Sequence, residues 1–192
     1  MSGELVAAVV IGSFAAFMVA AQLAHARNAA RGGPLVARAG GFAHLVAYFV
    51  PVPYLVVALR PGPELPLPDA VRWAGLALAA AGVGFAIWAI ATLGRHYSLE
   101  LEVRRGHEIV DRGPYALVRH PVYSGLGLHF IGACLATGNL LLIAGTLGVS
   151  FPAFAIRAAA EERLLRATLG PAYEAYAQRV GMLVPRGWRR DA

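Results

Sequence analysis

Two groups of side chains have types and spacing suited to chemistry. Arg119, His120 and Pro121 set a guanidinium and an imidazole immediately before a proline, and Glu161 and Glu162 follow later beside Arg163 and Arg166. A proline suits the first position of a helix because its missing N–H costs no internal hydrogen bond there, so Arg119 and His120 are expected at a helix N-terminus. Free backbone N–H groups and the positive end of the helix dipole, with a guanidinium alongside, favour a carboxylate or phosphate. Arg157 precedes Glu161 by one helical turn. A surface pair of that spacing contributes only about 0.2–0.5 kcal/mol, which hardly accounts for two acids in an arginine-rich stretch. A carboxylate there is expected to bind an ammonium group or to steer Arg119. The competing reading is structural, with Arg119 an anchor, His120 a helix cap and the acids balancing Arg163 and Arg166.

Other motifs carry less. Gly113, Pro114 and Tyr115 form a turn that brings the chain round to the Pro121 helix. Gly170 and Pro171 end the helix bearing the glutamates, and Tyr173, Tyr176 and Val180 share one face of a short helix beyond them, read as packing. GLGLHFIG at 125–132 has the glycines of a dinucleotide loop but lies in an apolar run with no strand before it. His96, His107 and His120 lack a zinc spacing, Cys134 has no partner, and Ser124 lies in no nucleophile-elbow motif, so no metal site is expected.

The elements that position these residues are membrane helices. The chain is 58% hydrophobic and 15% charged, with a mean hydropathy of +0.58, against about 25% charged for a soluble domain. Apolar runs extend over 5–25, 42–59, 71–93, 122–136 and 140–156, the last two separated only by Thr137, Gly138 and Asn139 in what reads as a helical hairpin. Pro51 and Pro53 predict a break near Val52. Gly75, Ala79, Gly82 and Gly84 read as a small-residue packing face, and the prolines at 61, 63, 66 and 68 as a stiff connector. The first run lacks a basic segment before it, which favours a retained helix over a cleaved signal.

All 17 basic residues are arginine, for a net charge of +6, but they are scattered between apolar runs and form no basic stripe; nucleic acid is not an expected partner. Five spans with the N-terminus outside place 15 of the 17 arginines on the cytosolic side, as positive charge normally distributes. The expectation is an all-α, multi-pass integral membrane protein of one domain over 1–192. Three membrane helices lie in 1–93, and a loop, the hairpin and C-terminal helices in 94–192, with a cytosolic pocket and a cytosolic C-terminus.

The stretch GPYALVRHPVYSG, followed by RAAAEERLLRATLGPAYEAYAQRVGMLVPR, resembles the isoprenylcysteine carboxyl methyltransferase family over about residues 94–186. The resemblance implies S-adenosylmethionine as methyl donor, held by His107, Ile109, Val110, Gly113, Pro114, Tyr115, His120, Pro121, Tyr123 and Glu162. It implies Arg119, Glu161 and Glu162 as catalytic or orienting groups, and a prenylated or otherwise lipophilic cysteine-type acceptor, methylated on its carboxylate, entering between helices from the lipid. Methylation of a phospholipid or a small thiol, nicotinamide-dependent reduction of a lipid double bond, and a non-catalytic accessory role stay open. A carboxylate acceptor is already nucleophilic and demands positioning more than a base. A neutral thiol or amine needs one, and His107 or a glutamate is then the candidate.

Overall fold

Apolar runs free of internal breakers form the long helices, and proline or glycine marks most of their ends. A computed structural model describes residues 3–30, 33–39, 50–59 and 62–186. In order these form α1 (Gly3–Ala29), strand β1 (Leu35–Arg38), α2 (Val52–Leu59), α3 (Asp69–Leu93), strand β2 (Glu102–Arg104), α4 (Pro114–Leu117), α5 (Pro121–Thr137), α6 (Leu140–Gly145) and α7 (Phe151–Arg179). A π turn, Thr146–Ser150, joins α6 to α7.

Three stretches among the described residues are long and apolar enough to cross a bilayer: Ala8–Ala29, Asp69–His96 and Leu140–Arg179. Helix α5, with 17 residues, is about 26 Å long at ~1.5 Å per residue, a little short of the ~30 Å hydrocarbon layer. The second apolar run falls mostly on 42–49, outside the described residues. Its described end starts α2 at Val52, directly after a turn closed by the Tyr54 N–H on the Pro51 carbonyl, 3.0 Å away. Outward faces are apolar, as lipid requires: Val19, Leu23, Trp73, Trp88 and Leu147 are all more than half exposed. Trp73 and Trp88 stand near opposite ends of α3, about 22 Å apart by helical rise, a separation suited to the two interfacial aromatic belts.

The fold departs from all-α at one place. β1 and β2 pair antiparallel, Ala37 opposite Val103 and Arg38 opposite Glu102. The alternation of Leu101, Glu102, Val103 and Arg104 explains it, since Leu101 and Val103 are buried while Glu102 and Arg104 share the other face.

The closest helix pair is α3 with α5, and glycines set its distance. A Cβ on Gly82 would lie 2.5 Å from the Gly125 carbonyl oxygen and the His129 nitrogen, and one on Gly132 would lie 2.4 Å from the Ala79 nitrogen. Gly75 and Gly125 are equally close-packed. The glycines of GLGLHFIG are therefore packing residues. Gly84, expected on the same face, has nothing within 4 Å of its Cβ position, because it lies two residues round the helix from Gly82. Buried against this seam, His129 bonds the Ala79 carbonyl and joins a ring cluster of Phe14, Tyr54 and Phe130 that ties α1 and α2 to α5.

The hairpin tip is held by the proline-punctuated connector. Leu65 N–H donates to the Gly138 carbonyl and Leu140 N–H to the Pro63 carbonyl, both at 2.9 Å. The Asn139 side chain accepts from Leu142 N–H and caps α6. Arg72 donates to the last carbonyls of α5, those of Ala136 and Thr137. Replacing Gly132 by Ala forces two backbones apart and is expected to cost about 1–3 kcal/mol by overpacking. Gly84→Ala gains helix propensity and should be neutral or slightly stabilising. Thermal unfolding in detergent reads both, and equal melting of the two variants would contradict the seam.

Candidate functional site

Gly113, at φ +57°, turns the chain into α4, whose end leaves Val118 extended. Val118 pairs with Gly181 in a parallel bridge. Arg119 N–H then donates to the Gly181 carbonyl (2.8 Å), His120 N–H to that of Met182 (3.0 Å), and the Ser124 hydroxyl to that of Leu183 (2.7 Å). Pro121 opens α5 with His120 as its N-cap residue, as the sequence predicts. The anion site expected from free N–H groups of Arg119 and His120 does not form, because the segment after α7 supplies carbonyls to both.

Arg119 is equally committed through its side chain. Its Nε and Nη2 donate to the two carboxylate oxygens of Glu162 at 2.8 and 3.1 Å, and its Nη1 to the carbonyls of Ala177 and Val180. Burial works against the Arg119 charge, but hydrogen bonding and attraction from Glu162 outweigh it and raise the guanidinium pKa. Glu162, 7% exposed, also takes a bond from the Tyr173 hydroxyl at 2.8 Å and from Arg166 at 3.2 Å, and lies 2.9 Å from His120 Nε2. Gly170 makes this possible: its φ of +55° breaks α7 and folds the final turns back onto the earlier ones. Tyr173, Tyr176, Ala177 and Val180 form a buried cluster, with the Tyr176 hydroxyl on the Tyr115 carbonyl at 2.7 Å. The tyrosine stripe packs, and Tyr173 also bonds.

Glu161, one residue earlier, leans the other way. It accepts from the Tyr123 hydroxyl at 3.0 Å, comes within 3.6 Å of His120 Nδ1, and keeps about a third of its side chain exposed. It lines a cavity of about 340 Å³, within the ~300–1,000 Å³ usual for small-molecule sites. Arg119, His107, Ile109, Val110, Tyr115, His120, Pro121 and Tyr123 line it too. Gly113 and Pro114 lie outside the lining, in the turn against Thr92 and Trp88, and Glu162 lies outside it as well.

The cavity has two characters. One end is walled by Phe14, Phe17 and Met18 of α1 and by Val50; the other holds Glu161, His107, Tyr97, Tyr115 and Tyr173. Burial, with the neighbouring His96 ring 4.9 Å away adding to it, lowers the His107 pKa, so the imidazole is neutral at neutral pH. Burial raises the phenols of Tyr97 and Tyr115, which stay protonated. A carboxylate, a neutral imidazole and several tyrosine faces suit a cationic ligand; the apolar end suits a hydrocarbon chain. The α1 residues carry no spacing that distinguishes them from lipid-facing ones, and only the fold brings them here. Arg157 reads as half of a surface pair with Glu161, yet it is 7% exposed and lines the cavity, its Nε donating to the Tyr123 hydroxyl at 2.9 Å.

Known proteins match this region. Residues 75–167 match the isoprenylcysteine carboxyl methyltransferase family. A protein-S-isoprenylcysteine O-methyltransferase B of Arabidopsis thaliana is 35% identical over 99 residues, 50% of each chain. Methanethiol S-methyltransferase 1 of Bradyrhizobium diazoefficiens is 42% identical over 78 residues, 40% of this chain and 25% of its own. The solved structure of a eukaryotic intramembrane Ras methyltransferase superposes with a TM-score of 0.56 at 28% identity, over 75% of this chain and 48% of that one. The chain thus spans about half the length of these isoprenylcysteine methyltransferase relatives. The match runs from the glycine seam of α3 through the hairpin to the glutamates of α7, and on that continuous stretch the chain belongs to the isoprenylcysteine carboxyl methyltransferase family.

Proposed function

We propose that the protein transfers a methyl group from S-adenosylmethionine to the carboxylate of a prenylated or otherwise lipophilic cysteine-type acceptor at the membrane interface. The observation that carries this reading is the single cavity that is apolar at its α1 end and polar at its Glu161 end, within a chain of this family. The residues present fit the donor: Glu161 would meet its ammonium group, and the tyrosine faces its sulfonium, a contact worth about 0.5–2 kcal/mol. When bound, the donor supplies an electrophilic methyl that the acceptor oxygen displaces from sulfur in line. The protein's own share is orientation and exclusion of water. His120 and Tyr123, stacked with ring centroids 5.6 Å apart, form the wall between Glu161 and the apolar end. Arg119 and Glu162 position this wall and touch neither reactant. The same reading puts five helices across the membrane, the N-terminus outside and the cavity open to the cytosol.

The methanethiol S-methyltransferase relatives favour a second reading, S-methylation of a small thiol. That acceptor must lose a proton, and neutral His107 is placed in the cavity to take it.

Methyl transfer from labelled S-adenosylmethionine by the detergent-purified chain separates these readings. Incorporation into N-acetyl-S-farnesylcysteine, with none into methanethiol, is the expected outcome; the reverse pattern establishes the thiol reading, and incorporation into neither removes both. The two glutamates are expected to part company. Glu161→Gln weakens S-adenosylhomocysteine binding about tenfold, the loss of one charge-assisted contact, and leaves thermal stability nearly unchanged. Glu162→Gln strands a buried guanidinium and costs about 3–5 kcal/mol of stability. Calorimetry and unfolding in detergent measure both effects, and equal stability of the two variants would count against this division of roles.

A further inference from the structure

One guanidinium in the cavity wall is left with a donor to spare. Arg157 uses Nε on the Tyr123 hydroxyl and Nη2 on the Leu99 carbonyl. Its Nη1 is buried and makes no hydrogen bond. Among the described residues no carboxylate pairs with Arg157: Glu161, one turn along α7, is taken by Tyr123 instead. Arg119 shows the contrast, since its guanidinium is matched bidentately by Glu162. An arginine does not shed its proton, and a buried charge without a counter-ion is unfavourable. Arg157 is therefore set up for an anion that arrives with a ligand.

Position says which ligand. Tyr123 stacks on Phe154 at 5.9 Å on one side and on His120 at 5.6 Å on the other. Phe154 in turn meets Phe130, within the apolar cluster that includes Phe14 and Phe17. Arg157 bonds to the middle ring of this series, so its spare N–H lies where the apolar half of the cavity meets the polar half. We propose that Arg157 receives the carboxylate of the lipophilic acceptor, its Nη1 donating to a carboxylate oxygen while the hydrocarbon lies toward Phe14 and Phe17. The proposal rests on the methyl-transfer reading and replaces Arg119 as the acceptor's partner, because Arg119 is already saturated. It has a consequence for turnover: methylation turns the carboxylate into a neutral ester, so the charge-assisted bond is lost and the product is released more readily than the substrate.

The test compares binding of N-acetyl-S-farnesylcysteine with that of its methyl ester to the full chain in detergent, by intrinsic tryptophan fluorescence, alongside S-adenosylhomocysteine. Wild type is expected to prefer the acid by about tenfold or more, as a charge-assisted contact gives. Arg157→Gln brings the ratio to about one, and Arg157→Lys, which keeps the charge but loses the planar fork, lowers it at least about threefold. S-adenosylhomocysteine affinity stays within about twofold of wild type in both variants and reports an intact fold. Should Arg157→Gln lose all binding through misfolding, the Lys variant decides alone. An unchanged acid-to-ester ratio in whichever variant folds would overturn the proposal. So would a loss confined to S-adenosylhomocysteine, which assigns Arg157 to the donor's own carboxylate. If wild type shows the Arg157-dependent acid preference but no methyl transfer, the carboxylate site stands and the methyl-transfer reading falls.

Discussion

The bidentate pair between Arg119 and Glu162 is the contact on which the rest of the site depends. Both side chains are about nine-tenths buried, and neither charge is tolerable there alone. Each therefore obliges its surroundings to complete its hydrogen bonding. Glu162 recruits His120, Tyr173 and Arg166, and Arg119 recruits the carbonyls of Ala177 and Val180. Those partners come from the start of α5, from both halves of α7 on either side of Gly170, and from the segment beyond it. One ion pair thus fixes three pieces of chain that are distant in sequence, and the cavity is the space they leave against α1.

The membrane half imposes a complementary constraint. Between apolar helices in lipid there is little hydrophobic gain to be had from association, so close backbone approach and internal hydrogen bonds must serve. The glycines of α3 and α5 supply the first, and the connector clamped on the hairpin tip supplies the second. Together they hold α5 rigidly enough that its first turn presents His120 and Tyr123 at a fixed angle to Glu161. A site whose supporting side chains are locked by packing loses less entropy when it binds.

Much of this was legible in the sequence, and the gaps have physical reasons. The Pro121 helix start, the hairpin at Gly138 and Asn139, the break at Gly170 and the face shared by Tyr173, Tyr176 and Val180 all follow from local rules about proline, glycine and helical period, and the structure shows each. The partnership of Arg119 with Glu162 did not follow, because it depends on how α7 folds back, and nothing local records which acid will meet which base. Two adjacent glutamates on a helix must diverge by about 100° at 3.6 residues per turn. Which of them faces the cavity is decided by α5. The same ignorance made Arg157 look like a surface residue and left the α1 wall unmarked, since a residue lining a cavity and one facing lipid are equally apolar. The β1–β2 ribbon was hidden because its two short strands lie far apart in the chain and each reads as loop alone.

Medium and chemistry also fit one another. A sulfonium donor and a carboxylate acceptor enter with opposite charges, and the products of methyl transfer carry neither. In water both reactant charges are well solvated, and that solvation opposes reaction. In a cavity with an apolar wall the reactants attract more strongly, and the loss of charge on the way to products is no longer resisted by bulk water. The condition is that each charge has a partner waiting, so that entering the cavity is not itself prohibitive. Glu161 and Arg157 stand one helical turn apart on α7, bridged by the Tyr123 hydroxyl that donates to one and accepts from the other. That hydroxyl keeps them from cancelling each other directly, and it leaves one carboxylate for a cation and one guanidinium N–H for an anion.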